Sequence, residues 1–335
     1  MRWSMRVTAA VSAVVLAAGC GNGASGGDAL TLYNAQHEDL MKAMVEGFTK
    51  ETGIKVNLRS GKDFELANQI VQEGDASPAD VFVTENSPAM SLVDAKGRFA
   101  KVDDATLAQV PGQYSPSSGN WVGFAARSTV FAYNSKQLTA EQLPKSIVDV
   151  AQPQWQGKIG VAAAGADFQA IVSAVLEVTG EDATKQWLAG LKRNAKIYPG
   201  NIAVMKAVNS GEIQGGVIYH YYWYKDRAEA SANSKDTELK FFTDGDPGAF
   251  VSVSGAGVVK ASKKQADAQK LVKYLTSKGG QQILSDSKAL EYAIAKDATP
   301  NSKLKPLNEL KPPPIDVAKL NGPKVVELMQ QAGLI

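Results

Sequence analysis

Cysteine is almost missing. Cys20 is the one thiol in 335 residues, so no internal disulfide and no thiolate cluster can staple the chain or hold a metal. Histidine is nearly as scarce, with His37 and His220 alone, which leaves little equipment for general acid–base catalysis. No Gly-x-Ser-x-Gly elbow between a strand and a helix and no His-Glu-x-x-His motif occurs, so a secreted hydrolase is a remote reading. An excess of either charge is lacking too. The 36 basic residues include Arg2 and Arg6, and without those two they equal the 34 acidic ones. No run of Lys and Arg exceeds two residues, so neither nucleic acid nor an anionic membrane surface is expected as a partner. Long apolar runs are confined to Val7–Ala18, 12 residues in a basic N-terminal context. That length is too short to span a bilayer and reads as a signal segment.

The signal segment ends Leu16-Ala17-Ala18-Gly19-Cys20. Small residues followed at once by cysteine resemble the lipobox of bacterial lipoproteins, although the leucine stands one place further back than the pattern prefers. The resemblance implies that residues 1–19 are a signal peptide and that Cys20 becomes the lipidated first residue. Residues 20–28, rich in Gly, then form a flexible tether. The expected location is extracytoplasmic, with a lipid anchor on the outer face of the bacterial cell membrane or in a periplasm.

What is present suits a large α/β protein. Hydrophobic residues make up 44%, enough for a sizeable core, and the length predicts two lobes or one large unit. Leu30–Asn34, Ile54–Leu58 and Ala79–Thr84 read as strands. Between them lie helical faces, Leu40, Met41, Met44, Val45 and Phe48 closed by Gly53, and then Leu66, Ile70 and Val71. A second such unit begins near Val130, with strands at Lys158–Ala162 and Gly215–Ile218, an extended return at Phe250–Ser254, and helices through Phe168, Trp187 and Ile202. The final hundred residues are expected to be mostly helical, interrupted by Pro312-Pro313-Pro314.

Open parallel sheets bind ligands beyond the carboxyl ends of their strands. Four such ends offer Gln36-His37-Glu38, Glu85-Asn86-Ser87, Ala164-Gly165-Ala166 and the run Tyr219-His220-Tyr221-Tyr222-Trp223-Tyr224. Four of the 10 tyrosines fall in those six residues. Such a run reads as packed aromatics, as a stacking platform for a sugar or polyamine, or as phenolate donors for a hard cation. Phenolate, carboxylate and imidazole together suit Fe³⁺, and two phenolates with one carboxylate would balance its charge.

These motifs resemble the ferric-ion-binding periplasmic receptors of bacterial ABC importers. Tyr33-Asn34-Ala35-Gln36-His37, Ser77-Pro78-Ala79-Asp80-Val81-Phe82 with Glu85, Tyr221-Tyr222-Trp223, Asp246-Pro247-Gly248-Ala249 and Ser254-Gly255-Ala256 carry the resemblance from about residue 30 to the C-terminus. It implies a two-lobed periplasmic-binding-protein fold, type II-like, each lobe a helix-covered and mostly parallel sheet with the ligand cleft between them. Lobe 1 is expected at 29–126 plus 252–302 and lobe 2 at 127–251 plus 303–335. The resemblance further implies Fe³⁺ bound by His37, Glu85, Tyr221 and Tyr222, and delivery of the ion or its chelate by a monomer to an ABC transporter permease. A small synergistic anion, carbonate, phosphate or citrate, is expected at Ala164, Gly165, Ala166 and Asn201 with Arg127 nearby. The sequence departs from the family in Ala164, where serine is common, and in Tyr219, where asparagine is. His220 and Tyr219 are expected to orient or pack behind the tyrosine pair. A receptor for an organic solute remains the alternative.

Overall fold

The computed structural model describes residues 29–335; the expected signal peptide, Cys20 and the tether lie outside the described residues. The chain runs β1 (Leu30–Asn34), α1 (Glu38–Thr52), β2 (Val56–Ser60), α2 (Asp63–Glu73), β3 (Val81–Val83), α3 (Ser87–Ala95), a short α4 (Asp104–Leu107) and the long β4 (Val122–Asn134). It continues with β5 (Ile159–Val161), α5 (Ala166–Thr179), α6 (Glu181–Asn194), β6 (Ala195–Ile197), α7 (Asn201–Asn209), β7 (Gly215–Tyr219), α8 (His220–Glu229) and β8 (Thr237–Phe241). Last come β9 (Val251–Val258), α9 (Gln265–Thr276), α10 (Lys278–Asp286), β10 (Tyr292–Ala293) and α11 (Gly322–Gln331).

Strand order is β2-β1-β3-β9-β4-β7-β5-β6, with β8 and β10 also pairing to β4. The outer strands are parallel, β2–β1–β3 on one side and β7–β5–β6 on the other. Between them β9 and β4 run antiparallel to their neighbours. β4 pairs with β9 over Val122–Ser128 and with β7 over Thr129–Tyr133. One 13-residue strand thus belongs to two half-sheets, and the chain passes from one to the other at Ser128.

Local sequence explains the elements that matter for the site. In α1 the buried Leu40, Met41, Met44, Val45 and Phe48 form one stripe, the spacing of a helix packed on a sheet. Gly53 ends it at φ +74°, with its N–H bonded to the Thr49 carbonyl, a conformation that glycine reaches without steric cost. Gly216 allows β7 to lie close under α7, since a Cβ there would stand 2.3 Å from Val204 Cγ1. The dominant apolar cluster runs from Phe48, Phe82 and Trp121 to Phe131, Phe168 and Trp187, and a smaller one gathers Val130, Val204, Val208 and Ile218. No helix among the described residues is long and apolar enough to cross a membrane.

The last hundred residues are less helical than the apolar spacing predicts. Between α10 and α11 the chain from 287 to 321 holds only β10 and two single 3₁₀ turns. Pro300, Pro306 and Pro312–Pro314 fall in that stretch, and each removes a backbone donor that a helix needs. α11 then packs against both α3 and α5, one helix from each half.

Candidate metal centre

Four strand-to-helix turns converge where the half-sheets meet. β1 leads through Ala35-Gln36 to His37, the N-cap residue of α1. Gln36 fixes this turn: its Oε1 accepts the His37 N–H at 2.7 Å, while its Nε2 donates to Ser254 Oγ at 2.7 Å and to Glu291 Oε2 at 3.2 Å. Beyond β3, the N–H groups of Glu85 and Asn86 donate to the buried Asp63 carboxylate at 2.9 and 3.1 Å. β7 runs directly into α8, so Tyr221 and Tyr222 occupy its first turn. β5 leads to α5 through Ala164-Gly165, and Asp167 stands in the first turn of that helix.

The structure brings His37, Glu85, Tyr221 and Tyr222 together. Tyr221 donates its phenol proton to Glu85 Oε1 at 2.9 Å, and His37 Nε2 lies 3.8 Å from the same oxygen. The His37 and Tyr221 rings meet edge to face at 5.3 Å, and the Tyr221 and Tyr222 rings stack at 4.2 Å. Tyr222 donates to Asp167 Oδ2 at 3.0 Å. Each phenol therefore gives its proton to a carboxylate. Among the described residues, no three His, Cys, Asp or Glu side chains gather closely enough to hold a metal, so the phenol oxygens are needed to complete any site here.

Asp167 and Glu291 are the residues that sequence reasoning missed. The Asp167 carboxylate, 6% exposed, accepts from Asn201 Nδ2 at 2.8 Å and from Asn86 Nδ2 at 3.0 Å as well as from Tyr222. It sits at the helix N-terminus formed by Ala164, Gly165 and Ala166, where an anion was expected, and Asn201 already serves it. The chain thus supplies a carboxylate of its own at that place, favoured by the helix dipole. Its position directly after Gly165-Ala166 was the available signal. Glu291, by contrast, lies in irregular chain and is carried to the site by the pairing of Tyr292 with Ala126. No motif marks it.

Arg127 is fully buried, and both of its terminal amino groups are committed to protein groups. One amino group donates to Glu291 Oε2 at 2.5 Å and Ser254 Oγ at 2.8 Å, the other to the Glu85 carbonyl. His220 is buried as well, and its Nδ1 accepts the Ser128 N–H at 3.1 Å; its ring stacks on Tyr292 at 4.7 Å. Tyr219 donates to Asn86 Oδ1 at 3.3 Å.

Burial dominates the electrostatics. It pushes the Tyr221 and Tyr222 phenols well above the ordinary tyrosine range, and the Asp167 and Glu85 carboxylates push in the same direction. Burial, then the charge of Glu85, raises Asp167 to about 7 and Asp63 to about 8. Burial, then Arg127, lowers His220 to about 3. For Arg127 burial acts against the charge, but Glu291 first and Glu85 second hold the guanidinium ionised. The uncomplexed site thus holds protons on its phenols, and a strong cation would have to displace them. From His37, Tyr221 and Tyr222 a cavity of about 1280 Å³ opens between α1 and α10 on one side and α7 and α8 on the other, with Lys225, Ile202 and Ile283 on its walls.

Comparison with known proteins gives the same direction. Residues 76–317 match the family described as bacterial extracellular solute-binding protein. The chain is 56% identical over 324 residues to the Fe(3+)-binding periplasmic protein of Serratia marcescens, covering 97% of this chain and 96% of that one. The crystal structure of iron-bound HitA from Pseudomonas aeruginosa superposes with a TM-score of 0.85 at 39% identity, over 91% of this chain and 99% of the other. A Trichodesmium protein (IdiA, FutA) in complex with iron and citrate superposes with a TM-score of 0.80 at 28% identity, over 91% and 99% of the two chains.

Proposed function

The chain belongs to the bacterial extracellular solute-binding proteins, and from that premise we propose that it is the iron(III) receptor of an ABC importer, which binds ferric ion outside the cytoplasm and passes it to a membrane permease. The fold is the two-lobed one of periplasmic binding proteins. The observation that carries the reading is the meeting of two phenols with a carboxylate and an imidazole at strand ends of both half-sheets, Tyr221 Oη being 2.9 Å from Glu85 Oε1.

In this reading His37, Glu85, Tyr221 and Tyr222 are the iron ligands. Ferric ion replaces the two phenol protons that Glu85 and Asp167 now accept, and two phenolates with the Glu85 carboxylate balance its three charges. Asp167 takes the part of the synergistic anion, and citrate or another small anion would bind from the adjoining cavity. Lobe 1 comprises 29–126 and 252–302 and lobe 2 comprises 127–251 and 303–335. The switch of β4 from β9 to β7 after Ser128 supports the boundary there, while α11, touching α3 and α5, ties the lobes at the back. The receptor works as a monomer and is held to the membrane by lipid on Cys20.

Titration of the apo protein with ferric citrate, followed by visible absorption and metal analysis, tests the function. A phenolate-to-iron band saturating at one iron per chain is expected. A colourless, iron-free product would leave the organic-solute receptor as the better account.

A further inference from the structure

Two carboxylates flank the buried Arg127, and only one is on the proposed ligand list. Glu291 is fully buried, and its Oε2 stands 2.5 Å from an Arg127 amino nitrogen. Glu85 Oε1 is farther away, 3.9 Å from Arg127 Nε. That Nε is buried and has no hydrogen-bond partner, so a donor is already directed into the neighbourhood of Glu85 and unused. Glu291 Oε1 likewise makes no hydrogen bond, although it lies 3.3 Å from His37 Nε2. A guanidinium stays charged at any relevant pH and, once buried, requires a partner of opposite charge.

We propose that Glu291 is a positioning residue for the metal centre: as the fixed counter-charge of Arg127 it keeps the guanidinium from pairing with Glu85 and leaves the Glu85 carboxylate to ferric ion. The inference rests on the reading of Glu85 as an iron ligand. Without the Glu291 charge, the unpaired Arg127 has one carboxylate within reach, that of Glu85, and its free Nε–H is the donor that would take it. Iron would then have to break a buried ion pair before it could bind. The pairing of Tyr292 with Ala126 holds Glu291 beside Arg127 on the backbone of β4, so the division of charge is built into the fold and does not await the metal.

The test is a double-substitution cycle on the full chain, read by competition with citrate for ferric ion and by the phenolate-to-iron absorption band. Glu291→Gln should weaken ferric binding by about 10- to 100-fold, the range of outer-shell changes at metal sites, and shift the band. In an Arg127→Gln background the same change should alter affinity by less than about threefold, because the charge it was balancing is gone. An equal loss in both backgrounds, or no loss in the otherwise unaltered chain, would overturn the proposal. If Glu291→Gln fails to fold, Glu291→Asp in both backgrounds carries the comparison: a smaller loss beside Arg127→Gln supports it and equal losses refute it. Glu85→Gln separates the two readings. Should it leave ferric affinity unchanged, the ligand assignment itself falls; should it weaken binding while Glu291→Gln does not, only the present inference falls.

Discussion

Iron binding should expel two protons from the tyrosine pair, and the pH dependence of affinity can count them. An ordinary phenol has a pKa of about 10, so at neutral pH each deprotonation costs at least about 4 kcal/mol. Burial and the Asp167 and Glu85 carboxylates raise both groups further. Protons and iron compete for the same oxygens, so the logarithm of the apparent ferric affinity should climb by about two per pH unit above pH 7. Below about pH 7 it should become steeper still, because Asp167, raised to about 7, also begins to hold a proton. The assay is competition against nitrilotriacetate across that range, with the chelator's own proton uptake subtracted. Tyr221→Phe and Tyr222→Phe each remove one exchangeable proton and should each lower the slope above pH 7 to about one. Their affinity losses should exceed the roughly 10- to 100-fold typical of outer-shell changes. A slope that stays at two in either variant, or a flat profile for the unaltered chain, would refute the assignment of both phenols as ligands.

Asp167→Asn removes the internal carboxylate while keeping its shape; ferric affinity should fall by about 10- to 100-fold and become dependent on added citrate or phosphate, whereas full affinity in anion-free buffer would show that Asp167 has no such part. His220, lowered to about 3, is neutral when folded and takes a proton on unfolding, so it stabilises the apo protein above about pH 6.5, and that contribution drains away as pH falls toward 3, by about 5 kcal/mol in all. Urea unfolding of apo His220→Asn should accordingly show about 2 kcal/mol less loss between pH 6.5 and 4.5 than the unaltered chain, and identical losses would count against a buried neutral imidazole. Cys20→Ala should move the protein from the detergent phase of cells into the soluble extracytoplasmic fraction; unchanged partitioning would argue for a plain secretory peptide.

How far the sequence reached depended on whether a signal was local. The α1 stripe and its Gly53 stop were legible because five apolar positions and one glycine are all the helix requires. Strand edges were less so: Ile54–Leu58 was expected, but β2 is Val56–Ser60, because its limits are set by the pairing of Leu30 with Val56 through Asn34 with Ser60, a relation between distant residues. The tyrosine run stood out by density and His37 and Glu85 by lying past strands, whereas their mutual distances are products of the fold. Asp167 directly follows Ala164-Gly165-Ala166, but its place in the site rests on hydrogen bonds from Asn86, Asn201 and Tyr222, which come from distant segments and leave no local signal. Glu291 depends on a two-residue strand, β10, too short to leave any periodicity.

The two halves of the site are anchored differently, and this bears on how a receptor could both grip and release iron. Glu85 and His37 are held from behind: Asp63 accepts the Glu85 N–H at 2.9 Å, and Gln36, Ser254, Arg127 and Glu291 form a buried network with bonds of 2.5–3.2 Å. Tyr221, Tyr222 and Asp167 ride instead on the first turns of α8 and α5. The contacts between these groups and the Glu85 side include the hydrogen bonds Tyr221 to Glu85, Asn86 to Asp167 and Tyr219 to Asn86, with the His37 and Tyr221 rings edge to face. Each such hydrogen bond adds only about 1 kcal/mol net, somewhat more to an ionised carboxylate. These hydrogen bonds by themselves hold the two sets of donors together only lightly. A ferric ion bound by His37 and Glu85 on one side and two phenolates on the other would stabilise that arrangement alone, since an open cleft cannot present both sets of donors at once. Release then requires only that the phenolates recover their protons, and the raised phenol pKa values favour that recovery: the same burial that makes the tyrosines costly to ionise makes them ready to give iron up once the lobes are drawn apart.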